Sequence, residues 1–430
     1  MTSSSPIVVV GGGISGLVAA ATIARAGEPV VVLEKASSTG GRAATRNRDG
    51  FRFNLGPHAL YRGGELRKTL EDLGVDVRGN VPGANGAFAM DKGSAHTLPV
   101  GFASLVTTGL LTLHGKFVFA RLLRTLPSVD ADAWNDCTVA EWLATIADSR
   151  AAGVIEMLTR VTTFTNDPGR QSAGAAIRQL QLSLQNVLYL DGGWQTIADG
   201  LAHVALTAGA DIRSAAHVAA VQRDGVRIAD GSIVRASAVI IAAGPQDVDA
   251  LTGVTRFASE LPPPVRHAAL DIALKSLPNP KRTVAFGVDR PLYFSVHSAA
   301  AKLAPAGGAV IHASKYLRPE ESAGGDAERE IEALVDLMQP GWRDRIVFKQ
   351  FVPNLTVTHS ELVAARGGVK GRPPVALDAF PALDHVFIAG DWVGPRGQLS
   401  DAAAASAVDA AHAALRRVRR GRGLLEKAAS

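Results

Sequence analysis

The sequence has a single cysteine, Cys137, among 430 residues. One thiol excludes a disulfide framework and a cysteine-rich metal centre, and it fits a reducing cytoplasm. Aromatic residues make up only 5% of the chain, so a ring cage around a small bare amine has little to draw on. No uninterrupted apolar run reaches membrane-spanning length. Residues 97–113 lack charge, but Pro99, Gly101 and Gly109 interrupt them, and they read as a buried or interfacial cap helix. Residues 1–6 are too short and polar for a signal peptide, so a cytoplasmic location is expected. No internal repeat is visible, nor is any clear nucleophile, carboxylate pair or metal cluster.

What is present is ordinary globular composition, 47% hydrophobic and 20% charged. The length is too great for one core and predicts two domains. The net charge is a mild +5, with much of the excess in a basic tail at Arg416–Arg422. That tail reads as a solvated helix end, and it opens a peripheral contact with an anionic membrane surface. Nucleic-acid binding has no recognition module to support it.

The most informative stretch comes first. Ile7–Val10 is a β-branched run, followed by the G-x-G-x-x-G pattern of Gly11, Gly13 and Gly16, with Ile14 and Ser15 between. An alanine-rich helix runs to Arg25, and a second apolar strand, Val30–Leu33, ends on Glu34. Gly11 allows the tight turn, Gly13 lets a diphosphate approach the backbone, and Gly16 lets helix and strand pack closely. The helix start attracts the diphosphate, and Glu34 accepts from ribose hydroxyls. This is a dinucleotide site.

Lys35 follows, then Gly40-Gly41-Arg42 and Thr45. With these residues the sequence resembles the flavin amine oxidase, protoporphyrinogen oxidase and phytoene desaturase superfamily, closest to its phytoene desaturase-like members. The resemblance implies FAD, with Gly41 passing close to the diphosphate and Arg42 neutralising it through its planar fork. It places the Gly56-Pro57-His58 segment beside the flavin ring and makes His58 a candidate acid or base. Asn54 stands where relatives often carry an acid. Val218 would meet the adenine through its backbone, and Ala243 ends a strand near the cofactor. Near the C-terminus, Gly390-Asp391 and the loop to Gln398, Leu399 and Ser400 resemble the family's closing motif. There Asp391 would bond the ribityl or diphosphate region, and the next helix would point its N–H groups at the flavin. Gln398 and Arg396 are candidates to touch substrate, although Gln398 replaces an aromatic cage residue and Asp401 a glycine. Tyr293, His297, Lys315 and Tyr316 are candidates to line the substrate cavity.

The fold class implied is α/β, a Rossmann-like FAD-binding domain with an inserted α+β substrate domain of antiparallel sheet and helical cap. Residues 1–78, 191–256 and 376–430 would form the first, and 79–190 and 257–375 the second. Within the cap, residues 102–126 and 139–163 have helical spacing, and Trp134, Trp142 and Phe164 are expected in the core. The function implied is hydride transfer from a C–H bond of a sizeable, mostly apolar small molecule to flavin N5, as dehydrogenation, desaturation or amine oxidation. The alternatives are a saturase or isomerase of polyenes or isoprenoids, or a non-catalytic escort protein of the same fold. No residue pattern selects an electron acceptor.

Overall fold

The computed structural model describes residues 5–83, 86–377 and 381–429, with side chains to residue 422. Residues 1–4 of the segment weighed above as a leader lie outside the described residues. Two sheets organise the chain. The first is parallel, in the spatial order Asp211–Arg213, Val30–Leu33, Ile7–Val10, Ala238–Ile241, Val386–Ile388. The central strands are buried on both faces, which explains their unbroken Val/Ile composition. On one face lie the helices Ile14–Arg25, Gln195–Thr207 and Leu399–Ala429, packed through small residues such as Ala20, Ala24, Ala407 and Ala411. The other face is covered by the antiparallel meander Val218–Gln222, Gly225–Ile228 and Ile233–Arg235. The chain leaves Ile7–Val10 in one direction and returns through Ala238–Ile241 on its other side, which opens a crevice at the strand ends.

The second sheet has seven strands and is antiparallel except for one pair, Ala87–Asp91 beside Val284–Gly287. Its inner strands Val265–Leu274, Leu292–Val296 and Ala309–Tyr316 alternate between the two faces. Leu270, Ile272, Phe294 and Ile311 pack against the Gly325–Met338 helix. The opposite face carries His267, Asp271, Tyr293, Ser295, His312, Ser314 and Tyr316, all buried.

A helical cap sits over one end of this sheet. Its helices start on side-chain caps from Thr112, Thr138, Asp148 and Ser172, and they share a core around Phe119, Trp142, Val154 and Ile177. The helical stretch expected over 102–126 is broken into Phe102–Thr107 and Leu113–Thr125, and 139–163 into Val139–Ala144 and Ser149–Thr163. Trp142 is in the core and Trp134 is partly buried against it. Phe164 is not a core residue of the cap. It ends the Ser149–Thr163 helix with a left-handed backbone, φ +64°, a conformation costly for a bulky side chain.

Candidate active site

Between the two sheets lies a cavity of about 710 Å³, lined from the parallel-sheet crevice at one end to Phe164, His267 and Leu355 at the other. The Ile14–Arg25 helix starts at this cavity with no side-chain cap, and Ile14 and Ser15 line it. Its first-turn N–H groups therefore face the space where an anion would sit. Gly11 has φ +105°, and a Cβ there would meet the Ala242 carbonyl oxygen at 2.6 Å. At Gly13 a Cβ would meet nothing within 4 Å, so the backbone is open to a ligand. Gly16 does not line the cavity. A Cβ on it would lie 1.9 Å from the Gly11 carbonyl oxygen, so its job is the close packing of turn and helix.

Glu34 is buried and already accepts from Gly12 N–H (2.5 Å) and Ala36 N–H (2.7 Å), one on each oxygen. Each oxygen retains a lone pair for a ribose hydroxyl. Lys35 lines the same end, 3.7 Å from Asp247, and Val218 and Ala243 line it from the opposite wall.

Gly41 and Arg42 stand where the two ends meet. Arg42 Nη1 donates to Asp391 Oδ2 and to the Val357 carbonyl, both at 2.7 Å. These bonds occupy one of its three nitrogens. His359 Nδ1 lies 3.0 Å from Asp391 Oδ1. Burial pushes the Asp391 carboxyl up, but Arg42 and His359 outweigh it and hold it well below the usual carboxylate range. Arg372 is buried behind this group and donates to the carbonyls of Asp391, Arg396 and Gly397, fixing the loop that leads into the last helix. That helix begins at Leu399, whose φ of +54° turns Leu399, Ser400 and Ala403 onto the cavity wall.

Four residues, Gln398, Arg396, His58 and Gly56, sit or act otherwise than expected. Gln398 and Arg396 lie outside the cavity lining. Gln398 is buried and donates to the Ala175 carbonyl at 2.6 Å, tying the loop to the cap. Arg396 pairs at the surface with Glu65 and Asp409, both at 2.9 Å. His58 does line the cavity, but its ring nitrogens sit 3.1 Å from the Gly56 carbonyl and 3.2 Å from that of Arg42. Burial lowers its pKa to about 4, and its edge rests on Trp194. Neutral, the ring donates to one of the two carbonyls, that of Gly56 or that of Arg42, and packs between the two segments. Pro57 lines the cavity, whereas Gly56 lies behind it against Leu355, its N–H 3.4 Å from Asp271. Asp401 accepts from Leu66 N–H at 2.9 Å, capping the Glu65–Asp72 helix from a distant part of the chain.

The four residues proposed for the substrate wall also divide differently. Tyr293 and His297 are buried in a network with Tyr189 and Ser295, and Lys315 pairs with Glu321 and Glu330. Tyr316 lies behind His267, ring centroids 4.6 Å apart, with its hydroxyl unpartnered among the described residues. Sequence reasoning missed His267, Phe164 as a wall residue, His359, and the strand Ile346–Thr358, which supplies Leu355, Thr356 and Val357. His267 Nε2 lies 3.3 Å from the Phe164 carbonyl, and Nδ1 is buried without a partner among the described residues. Burial lowers the pKa of this imidazole to about 4.

The flavin containing amine oxidoreductase family model matches residues 14–279, more than half of the chain. The chain belongs to this family. The family is one of flavin-containing oxidoreductases, and the cavity fits a flavin dinucleotide. The uncapped helix start, the open backbone at Gly13 and the buried Glu34 suit a dinucleotide, and the buried Trp194 indole N–H, without a partner among the described residues, suits a ligand with acceptor atoms. Among relatives, phytoene desaturase of Cercospora nicotianae is 42% identical over 77 residues, 18% of this chain and 12% of that protein. Protoporphyrinogen oxidase of Bos taurus is 39% identical over 112 residues, 23% of this chain and 24% of that protein. The matches thus span a quarter or less of those relatives' length. Among solved structures, an oxidoreductase from Methanosarcina mazei superposes with a TM-score of 0.72 at 18% identity, covering 94% of this chain and 99% of that one. That likeness confirms the α/β class with its second, largely antiparallel sheet. No group of side chains among the described residues could hold a metal ion, and no helix among them is long and apolar enough to cross a membrane.

Proposed function

We propose that this FAD-dependent oxidoreductase dehydrogenates a sizeable, largely apolar metabolite, a polyene or isoprenoid or a secondary-metabolite amine. The observation that carries the reading is the far wall of the cavity, where Leu55, Pro57, Ala59, Phe164 and Leu355 continue the dinucleotide cradle into an apolar space. The match to phytoene desaturase supports the same class. FAD, when bound, supplies acceptance at N5 of a hydride from a substrate C–H bond. Gly11, Gly13, Ile14, Ser15, Glu34, Arg42, Val218 and Asp391 hold the cofactor, and the apolar wall orients the substrate and excludes water.

The second hydrogen leaves the substrate as a proton, a step that needs little help from a protein side chain. His267 is fully buried at the apolar end, with Nε2 3.3 Å from the Phe164 carbonyl, and it positions that wall residue.

Anaerobic mixing with a substrate panel tests the reading. Bulky apolar compounds should bleach the flavin absorbance, and exclusive bleaching by small primary amines would overturn it. Glu34→Ala should weaken FAD binding by about 1–3 kcal/mol.

A further inference from the structure

We infer that the outward face of the helices Phe102–Thr107 and Leu113–Thr125 docks on an anionic lipid bilayer surface. Phe102 and Leu113 are each 86% exposed, Phe117 69% and Val106 56%. The Phe102–Thr107 helix contains no buried residue at all. In the Leu113–Thr125 helix, Phe119 packs inward with Leu122 and Leu126 beyond it, while Leu113 and Phe117, one turn apart, form a separate outer stripe. The core thus takes one side of this helix, and a second apolar side is left facing solvent. Lys116 Nζ donates to the Val106 carbonyl at 2.6 Å and joins the two helices into one platform. Large apolar side chains concentrated on one surface of a folded chain mark an interaction site.

Charge decides the occupant. Between Asp91 and Asp130 the sequence has no acidic residue, but it has Lys92, Lys116, Arg121 and Arg124. Arg121 and Arg124 are exposed and continue the outer stripe of the Leu113–Thr125 helix. Asp148, which packs against Gly115, is engaged as the cap of the Ser149–Thr163 helix. A two-fold contact with a second copy would set these cations against themselves. An anionic headgroup layer instead receives them while the Phe and Leu side chains enter the acyl boundary. The basic tail is less suited to this role, because Arg417 pairs with Asp384 and Arg422 with Glu28.

The test is flotation of the FAD-loaded protein with phosphatidylcholine vesicles, with and without phosphatidylglycerol. Binding is expected only with phosphatidylglycerol, and it should weaken at high salt. The double variant Leu113→Asp, Phe117→Asp should lose affinity by more than about tenfold while keeping the flavin spectrum of the folded protein. Arg419→Gln with Arg420→Gln should bind like the parent. The inference is overturned if the parent does not float with anionic vesicles at low salt, or if the double variant floats equally well. It is also overturned if the double variant abolishes a dimer, seen by sedimentation velocity, in a parent that never floats.

Discussion

Arg42 and Asp391 are 349 positions apart in sequence and 2.7 Å apart in the fold. The pair links the loop after the second strand, Val30–Leu33, to the turn before the last helix, and the Val357 carbonyl and His359 complete the junction. Because Asp391 is buried and Arg42 is partly exposed, removing the acid strands less charge than removing the base. Asp391→Ala should cost about 1.5–3 kcal/mol in denaturant unfolding of the flavin-free protein at pH 7. The folded carboxyl is depressed, so its stabilisation is complete above the unfolded value of about 3.9. It is lost as pH falls through the lower folded value. The variant and parent curves should therefore converge in strong acid.

His267→Ala should retain FAD, judged by its absorbance, and loosen the wall at Phe164, raising KM for bulky substrates with little change in the flavin reduction rate at saturation. Burial lowers the folded imidazole to about 4, so its contribution to stability is complete above the unfolded value of about 6.5 and declines as pH falls from there to about 4. A large loss of the saturated reduction rate with KM unchanged would contradict this reading.

Phe164→Ala should leave flavin occupancy unchanged and raise KM for bulky substrates by about tenfold, through loss of a wall ring. Phe164→Gly adds a second readout. It should relieve about 1 kcal/mol of left-handed strain, so it should be more stable than the alanine variant with a similar KM.

Asp401 carries the opposite pH signature to Asp391. Burial raises its pKa to about 6. The carboxyl is thus neutral in the folded state at pH 5 but ionised in the unfolded chain. Relative stability is full below about 4 and is lost as pH rises through about 6. Asp401→Asn should recover about 1–3 kcal/mol at pH 8 and nothing at pH 3, measured by urea unfolding at both.

The stretch from Ile7 to Glu34 was legible because every constraint on it is local. Its strand composition, glycine turn, helix and terminal acid are neighbours in sequence, and the φ of Gly11 follows from the turn alone. The Arg42 and Asp391 motifs were visible in the sequence and both line the cavity, but their mutual contact was not visible, because nothing local couples positions in separate crossovers. The far wall was hidden for three further reasons. The strand Ile346–Thr358 contains Pro353 and meets its neighbour with register shifts, so its alternation is broken. In Val265–Leu274 the alternation is clear, yet only the packing of the Gly325–Met338 helix decides that Leu270 faces away and His267 faces the cavity. Gln398 and Arg396 sit beside a flavin motif, but Arg372 holds the loop so that one side chain turns into the cap and the other to the surface. Sequence determined the cofactor, since a dinucleotide is held by backbone geometry that short motifs encode. The far wall of the cavity was decided by tertiary structure, because it consists of single side chains whose direction is set by what packs behind them.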